Sequence, residues 1–310
     1  MWIYLVRRLL FALLLVFAVS SASLLLARLA PGDYATEALG AGAGRQELAE
    51  LRARYGLDRP LLTQYRDWLA GAARLDFGRS LAYDRPVADL IPERAANTAI
   101  LAATALALAT VIGVPLGILA GSRRGRPLSA IVGGVSLVLL SMPPLLTSLF
   151  LVFLAARTGW LPIGGMGSAG GIDTVRHLIV PATALGLPLA AMFERLQAQA
   201  MRDVIDAPYV LAAFARGVPR TRVVWRDALK SALRPIASIY GLIVGTLLSG
   251  TFAVEMVTTW PGLGRLTLEA LRARDVFLVA GCAATGSIFL ACGTFLSDAA
   301  LALVDPRARE

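Results

Sequence analysis

Six long apolar runs govern what this chain can fold into: Leu9–Ala30, Asn97–Ala120, Leu128–Ala156, Leu178–Phe193, Ile236–Thr258 and Val276–Val304. Each approaches or exceeds the roughly 20 residues that a helix needs to cross a hydrocarbon layer about 30 Å thick. A chain with 57% hydrophobic and 16% charged residues is far from the balance of a water-soluble domain. Backbone polar groups in hydrocarbon must be satisfied within the segment, so each run is expected to be a helix. The predicted fold is an all-α integral membrane protein with six transmembrane helices. The fourth run is short and holds Pro181 and Pro188, which neighbouring helices tolerate inside a membrane. "MWIYLVRR", followed by small residues at Ser20–Ser23, has the outline of a cleaved signal peptide. Its apolar run is too long for one, and Arg28 can snorkel to the interface from the last turn of a spanning helix.

Charge orients the spans. "GSRRGRP", between the second and third, carries three arginines and no acid, which places it in the cytoplasm by the positive-inside rule. Alternation puts Arg7 and Arg8, the stretch between spans four and five, and the terminal "DPRARE" on the same side. The opposite side receives residues 31–96 with nearly balanced charge, the glycine-rich "RTGWLPIGGMGSAGGIDTVR", and the slightly basic Thr259–Asp275. Four parts follow: an N-terminal span at 1–30, an external segment at 31–96, a transmembrane core at 97–304 whose cytoplasmic loop is 194–235, and a cytoplasmic tail at 305–310. The external segment shows helical spacing interrupted by Gly56 and Pro60 and ended near Gly71, which predicts short amphipathic helices.

Cys282 and Cys292 stand ten residues apart in one span. That is about 15 Å along a helix, so they cannot pair, and they read as small core residues. His177 is the only histidine. A histidine-based metal cluster or serine–histidine relay has nothing else to build on, and no cofactor is predicted.

"YVLAAFARGVPRTRVVWRDALKSALRP", residues 209–235, gathers six basic side chains and one acidic one. Asp206-Ala207-Pro208 reads as a helix start, and Arg216-Gly217-Val218-Pro219 as a stop. Beyond it, Arg222, Arg226, Lys230 and Arg234 recur every four residues and form one stripe of a second helix. Like charges at that spacing repel, so the stripe needs lipid phosphates or a partner's carboxylates, and these four residues are expected to anchor the loop at the membrane surface. Positive-inside topology explains the sign of the charge, but not the order of small-residue helix, glycine turn and second helix.

The pattern Ala212-Ala213-x-x-x-Gly217, followed eighteen residues later by Pro235 after "ALKSAL", resembles the cytoplasmic loop of permease subunits of binding-protein-dependent ABC importers. "YGLDRPLLTQYRDWL", "LDFGRSL", "VEMVTTWPGLGRL" and "DPRARE" resemble the dipeptide, oligopeptide and nickel branch of that family. The resemblance implies the type I importer permease fold, a second permease subunit of similar fold that forms a heterodimer or is identical to this chain, two cytoplasmic ATPase subunits and an extracytoplasmic substrate-binding protein, with no nucleic acid. It implies that Tyr209, Ala212, Ala213, Arg216 and Gly217 form a coupling helix seated in a groove of the ATPase. Leu211 departs from the pattern by standing where the generic loop has an acidic residue.

No P-loop is present, because the only lysine, Lys230, follows Ala228-Leu229 and not a glycine-rich turn. ATP hydrolysis is therefore assigned to a partner, and the chain is not expected to be an enzyme. An ion-coupled secondary carrier is the alternative. It would place ionisable residues near the bilayer centre, whereas Glu255 and Asp298 fall toward span ends. An intramembrane hydrolase built on Ser141 or Ser249 lacks a placed second catalytic group. For the pathway, Pro143 and Pro144 in mid-span predict a bend. Ser141, Met142, Pro143, Ser249 and Gly250 are expected near it. By resemblance, Glu255 with Trp260-Pro261-Gly262 forms an external turn and gate. The identity of the solute is not written in these residues.

Overall fold

A computed structural model describes residues 2–40, 42–74, 76–122, 127–167 and 171–304, and among these every regular element is helical. In chain order they are α1 (Trp2–Leu29), α2 (Tyr34–Leu39), α3 (Arg45–Arg54), α4 (Leu61–Ala72), α5 (Val87–Ser122), α6 (Pro127–Ser141) and α7 (Pro144–Thr158). Then follow α8 (Gly171–Ile205), α9 (Pro208–Ala215), α10 (Arg220–Arg222), a π-helical turn (Val223–Ala228), α11 (Leu229–Ala232), α12 (Arg234–Val257), α13 (Leu263–Arg272) and α14 (Val276–Val304). Four of these, α1, α5, α8 and α14, are individually long and apolar enough to cross a membrane. The number reaches six if the bent pair α6–α7 and the bent α12 each count as one span.

The third predicted span, Leu128–Ala156, is not one helix. α6 and α7 meet at 101°, much sharper than the bend the sequence suggested. Each residue that precedes a proline is pushed out of the helical region, and here Met142 and Pro143 both precede one. Pro143 is extended (φ −59°, ψ 146°), and Pro144 starts α7 where its missing N–H costs nothing. The fourth predicted span, Leu178–Phe193, is also corrected. α8 runs through Pro181 and Pro188 for 35 residues, about 52 Å at 1.5 Å per residue, and so outlasts the hydrocarbon layer. The loop expected from residue 194 is still helix as far as Ile205.

The chain divides into two compact units. In the first, residues 1–98 and 261–291, α1 leaves Leu9, Leu10, Phe11, Leu13 and Leu14 uncovered, as lipid contact requires. Gly56 (φ +64°) and Pro60 lie between α3 and α4. Trp68 of α4 packs with Leu24 and Ala280, and the Tyr65 hydroxyl donates to Ser21 Oγ at 3.0 Å. Asp275 is wholly buried before α14. Its carboxylate accepts from the Ser80 hydroxyl at 2.5 Å and from the Ala82 and Leu278 amides at 3.1 Å.

In the second unit, residues 99–260 and 292–310, α6, α7 and α12 pack on α8 around Leu101, Phe193, Ile243 and Trp260. α5 lies against α8 along Gly113, Gly117 and Gly121. A Cβ at Gly117 would stand 2.6 Å from the Glu194 carbonyl oxygen and from Gln197 Cβ, and one at Gly121 2.5 Å from the Ala198 carbonyl oxygen. Gly113 would collide in the same way with the Ala190 carbonyl. Such small-residue spacing is how helices approach in lipid, where no hydrophobic force draws them together. Gly117→Ala is therefore expected to destabilise the detergent-solubilised protein by about 1–3 kcal/mol through overpacking. Gly134→Ala, in open space on α6, should be neutral or slightly stabilising. Equal thermal midpoints for the two variants would contradict the seam.

Candidate functional site

The basic segment folds onto the end of α8. Ala207 is extended (φ −68°, ψ 143°), and Pro208 fills the first position of α9. Gly217 adopts φ +76°. The Gly217 amide donates to Phe214 O at 2.9 Å, and Val218 to Ala213 O at 3.2 Å, which is the Schellman closure that a left-handed glycine permits. A Cβ on Gly217 would meet nothing within 4 Å, so the demand for glycine here comes from the backbone and not from crowding within this chain.

Val210 and Ala213 turn inward from α9 and join Ile118, Met201, Val223, Val224 and Ala228 in a separate small core. Ala213, expected to face a partner, is 4% exposed and holds the helix down instead. The outward face is Tyr209, Leu211, Ala212, Ala215 and Arg216, with Tyr209 and Leu211 each about half exposed. Arg220 Nη2 donates to Ser122 O at 2.6 Å, which ties the loop to the C-terminal end of α5. Arg222, Arg226, Lys230 and Arg234 are all exposed, although the chain passes through a π-helical turn and not the single regular helix predicted. Trp225 is exposed among them.

The remaining candidates are divided between the two units. Ser141 is exposed and donates to Leu137 O at 2.9 Å, and Met142 and Pro143 form the break between α6 and α7. Gly250 of α12 faces Leu185 of α8, where a Cβ would stand 3.4 Å from Leu185 Cδ2. Ser249 lies in α12, and its side chain is outside the described set, as is that of Asp298. Glu255 and Trp260 are wholly buried in the second unit. Pro261 and Gly262 belong to the first, where Asn97 Nδ2 donates to Pro261 O at 2.9 Å and the Leu263 amide to Thr98 Oγ1 at 2.7 Å.

Two polar residues went unnoticed in the sequence. Glu194 and Gln197 are 2% and 0% exposed on α8 beside the α5 glycines. Among the described residues, Glu194 Oε2 and both Gln197 amide atoms have no hydrogen-bond partner. Ending the fourth span at Phe193 had put both in a loop. The alanines at 190, 191, 198 and 200, together with glycines spaced by four on α5, were the signals that the buried helix continues.

A family described as the binding-protein-dependent transport system inner membrane component matches residues 113–310, and its N-terminal companion matches residues 1–102. An oligopeptide transport system permease protein of Bacillus subtilis is 31% identical over 98% of both chains. A putative peptide permease protein of Brucella suis is 33% identical over 98% of both. A glutathione transport system permease protein of Escherichia coli is 35% identical over 88% of this chain and 87% of its own length.

Proposed function

The chain belongs to the inner membrane components of binding-protein-dependent transport systems, and from that membership we propose that it forms half of an import pathway for peptides, coupled through residues 206–220. It is a multi-pass membrane permease of an ATP-driven importer. A partner ATPase hydrolyses ATP, and a separate binding protein supplies the solute. The ion-coupled carrier is not favoured, even though Glu194 is a buried acid in a long helix.

The observation that carries the coupling role is the Gly217-closed helix α9, held on the end of α8 with a half-apolar face turned outward. Tyr209, Leu211 and Ala212 present a mainly apolar surface to the ATPase, with Arg216 at its edge. Leu211 supplies contact area where the generic loop has an acid. Arg222, Arg226, Lys230 and Arg234 meet lipid phosphates at the membrane surface. The names of the relatives support a peptide-like solute over a metal chelate. The second half of the pathway is a homologous permease, for which uncovered residues such as Val138, Leu149 and Phe153 leave an apolar face. Ser141, Met142, Pro143, Ser249 and Gly250 approach the pathway, and Glu255, Trp260, Pro261 and Gly262 contribute to its outer closure.

Both termini face the cytoplasm in this reading, although residues 305–310 lie outside the described set. Cysteines introduced at Gly125 and Ala169, also outside it, are expected to label from opposite sides of the membrane. Labelling from one side overturns the orientation. Coupling is tested with Gly217→Val and Gly217→Asn in the complete transporter reconstituted in liposomes. Left-handed backbone costs an ordinary residue about 1–2 kcal/mol, and more with β-branching, whereas asparagine tolerates it. Uptake should fall roughly tenfold or more for valine and be largely kept for asparagine. Membrane insertion should be unchanged in both. Wild-type uptake and ATP hydrolysis in the valine variant would sink the assignment.

A further inference from the structure

Within the first unit, a cavity of about 300 Å³ opens beside the end of α1, and three arginines are among the residues that line it: Arg28, Arg52 and Arg274. Asp33, Tyr34 and Gly32 complete its polar wall. Arg28 stands in the last turn of the apolar run Val6–Leu29, the depth at which a spanning helix leaves hydrocarbon and phospholipid headgroups begin.

The single acid is already committed. Asp33 Oδ2 accepts from Arg52 Nε at 2.6 Å, and its Oδ1 caps α2 through the Thr36 amide at 3.0 Å. Burial pushes this carboxyl up, but the Arg52 and Thr36 hydrogen bonds outweigh it and hold the group below the usual carboxylate range. Arg28 donates to Gln64 Oε1, a neutral partner. Among the described residues, no hydrogen bond or ion pair engages the Arg274 guanidinium. Three arginines therefore share a cavity whose lining holds one carboxylate, so positive charge exceeds negative charge in its wall.

Arg274 also sits where arginine is not the local choice. It closes α13 at φ +55°, with the Asp275 amide on Ala270 O at 2.9 Å and its own amide on Leu271 O at 3.2 Å. This is the same closure that Gly217 makes with glycine. A long cationic side chain kept in a left-handed position that glycine would occupy without strain points to a role for the side chain. Guanidinium forks match the oxygens of a phosphate in pairs.

We propose that this cavity binds a phosphate oxyanion, carried in the membrane by the headgroup of an anionic phospholipid. The test uses the full chain with Arg274→Gly, which removes the guanidinium but suits the backbone, and Arg274→Lys, which keeps the charge but loses the fork. In one arm, protein extracted from phosphatidylcholine vesicles containing phosphatidylglycerol is analysed by native mass spectrometry for retained lipid. In the other, lipid-stripped protein in detergent is titrated with inorganic phosphate. Wild type should retain phosphatidylglycerol about tenfold more tightly than Arg274→Gly, with Arg274→Lys between them, as loss of charged hydrogen bonds implies. The glycine variant should melt no lower than wild type. Binding of inorganic phosphate that depends on Arg274, without selective retention of lipid, supports the oxyanion site and assigns it to a soluble ligand. Retention and titration that do not distinguish wild type from either variant overturn the proposal.

Discussion

The contact between the backbones of α5 and α8 is the constraint on which the second unit of the molecule depends. Lipid offers helices no hydrophobic reason to associate, so close packing must supply the attraction, and close packing needs side chains to be absent. Gly113, Gly117 and Gly121 provide that absence at successive turns against the α8 carbonyls of Ala190, Glu194 and Ala198. The same seam encloses Glu194 and Gln197, whose unpartnered polar atoms make it costly as well as close. Because α8 continues without a break to Ile205, whatever displaces its C-terminal end displaces the seam with it.

The segment beyond Ile205 is secured to both helices of that pair. Val210, Val223 and Val224 are nearly fully buried with Ile118 and Met201, and each such side chain contributes about 1.5–3 kcal/mol relative to exposure. Arg220 satisfies the Ser122 carbonyl at the end of α5, one of the acceptors that a helix terminus leaves unpaired. α9 is thus part of a small folded body and not a loose loop. Its inner side holds it to α5 and α8, and its outer side is exposed.

How much of this was legible in the chain depended on whether a feature is local. Gly217 could be read from sequence because a left-handed closure is a property of one residue and its neighbours. The break at Pro143 could be foreseen, but its angle could not. Two adjacent prolines force Met142 and Pro143 out of the helix, and packing of α6 and α7 on α8 then sets 101°. Ala213 was placed on the wrong side of α9, since alanine suits a buried position and a close contact equally well. Glu194 and Gln197 were hidden because a polar pair looks like a loop until the glycines of a distant helix are seen to cover it. The cavity at Arg28 depends on three segments far apart in sequence, and nothing in any one of them announces the others.

The central claim is that the outer face of α9 is the surface that touches the ATPase. The most direct measurement places a photo-crosslinking amino acid at Leu211 or Ala212 in the assembled transporter, with Gly134 on α6 as the control position. The account predicts a crosslink to the ATPase subunit from 211 and 212, with a yield that changes when ATP is added, and none from 134. No ATPase adduct from either α9 position, or an equal yield from Gly134, would contradict it.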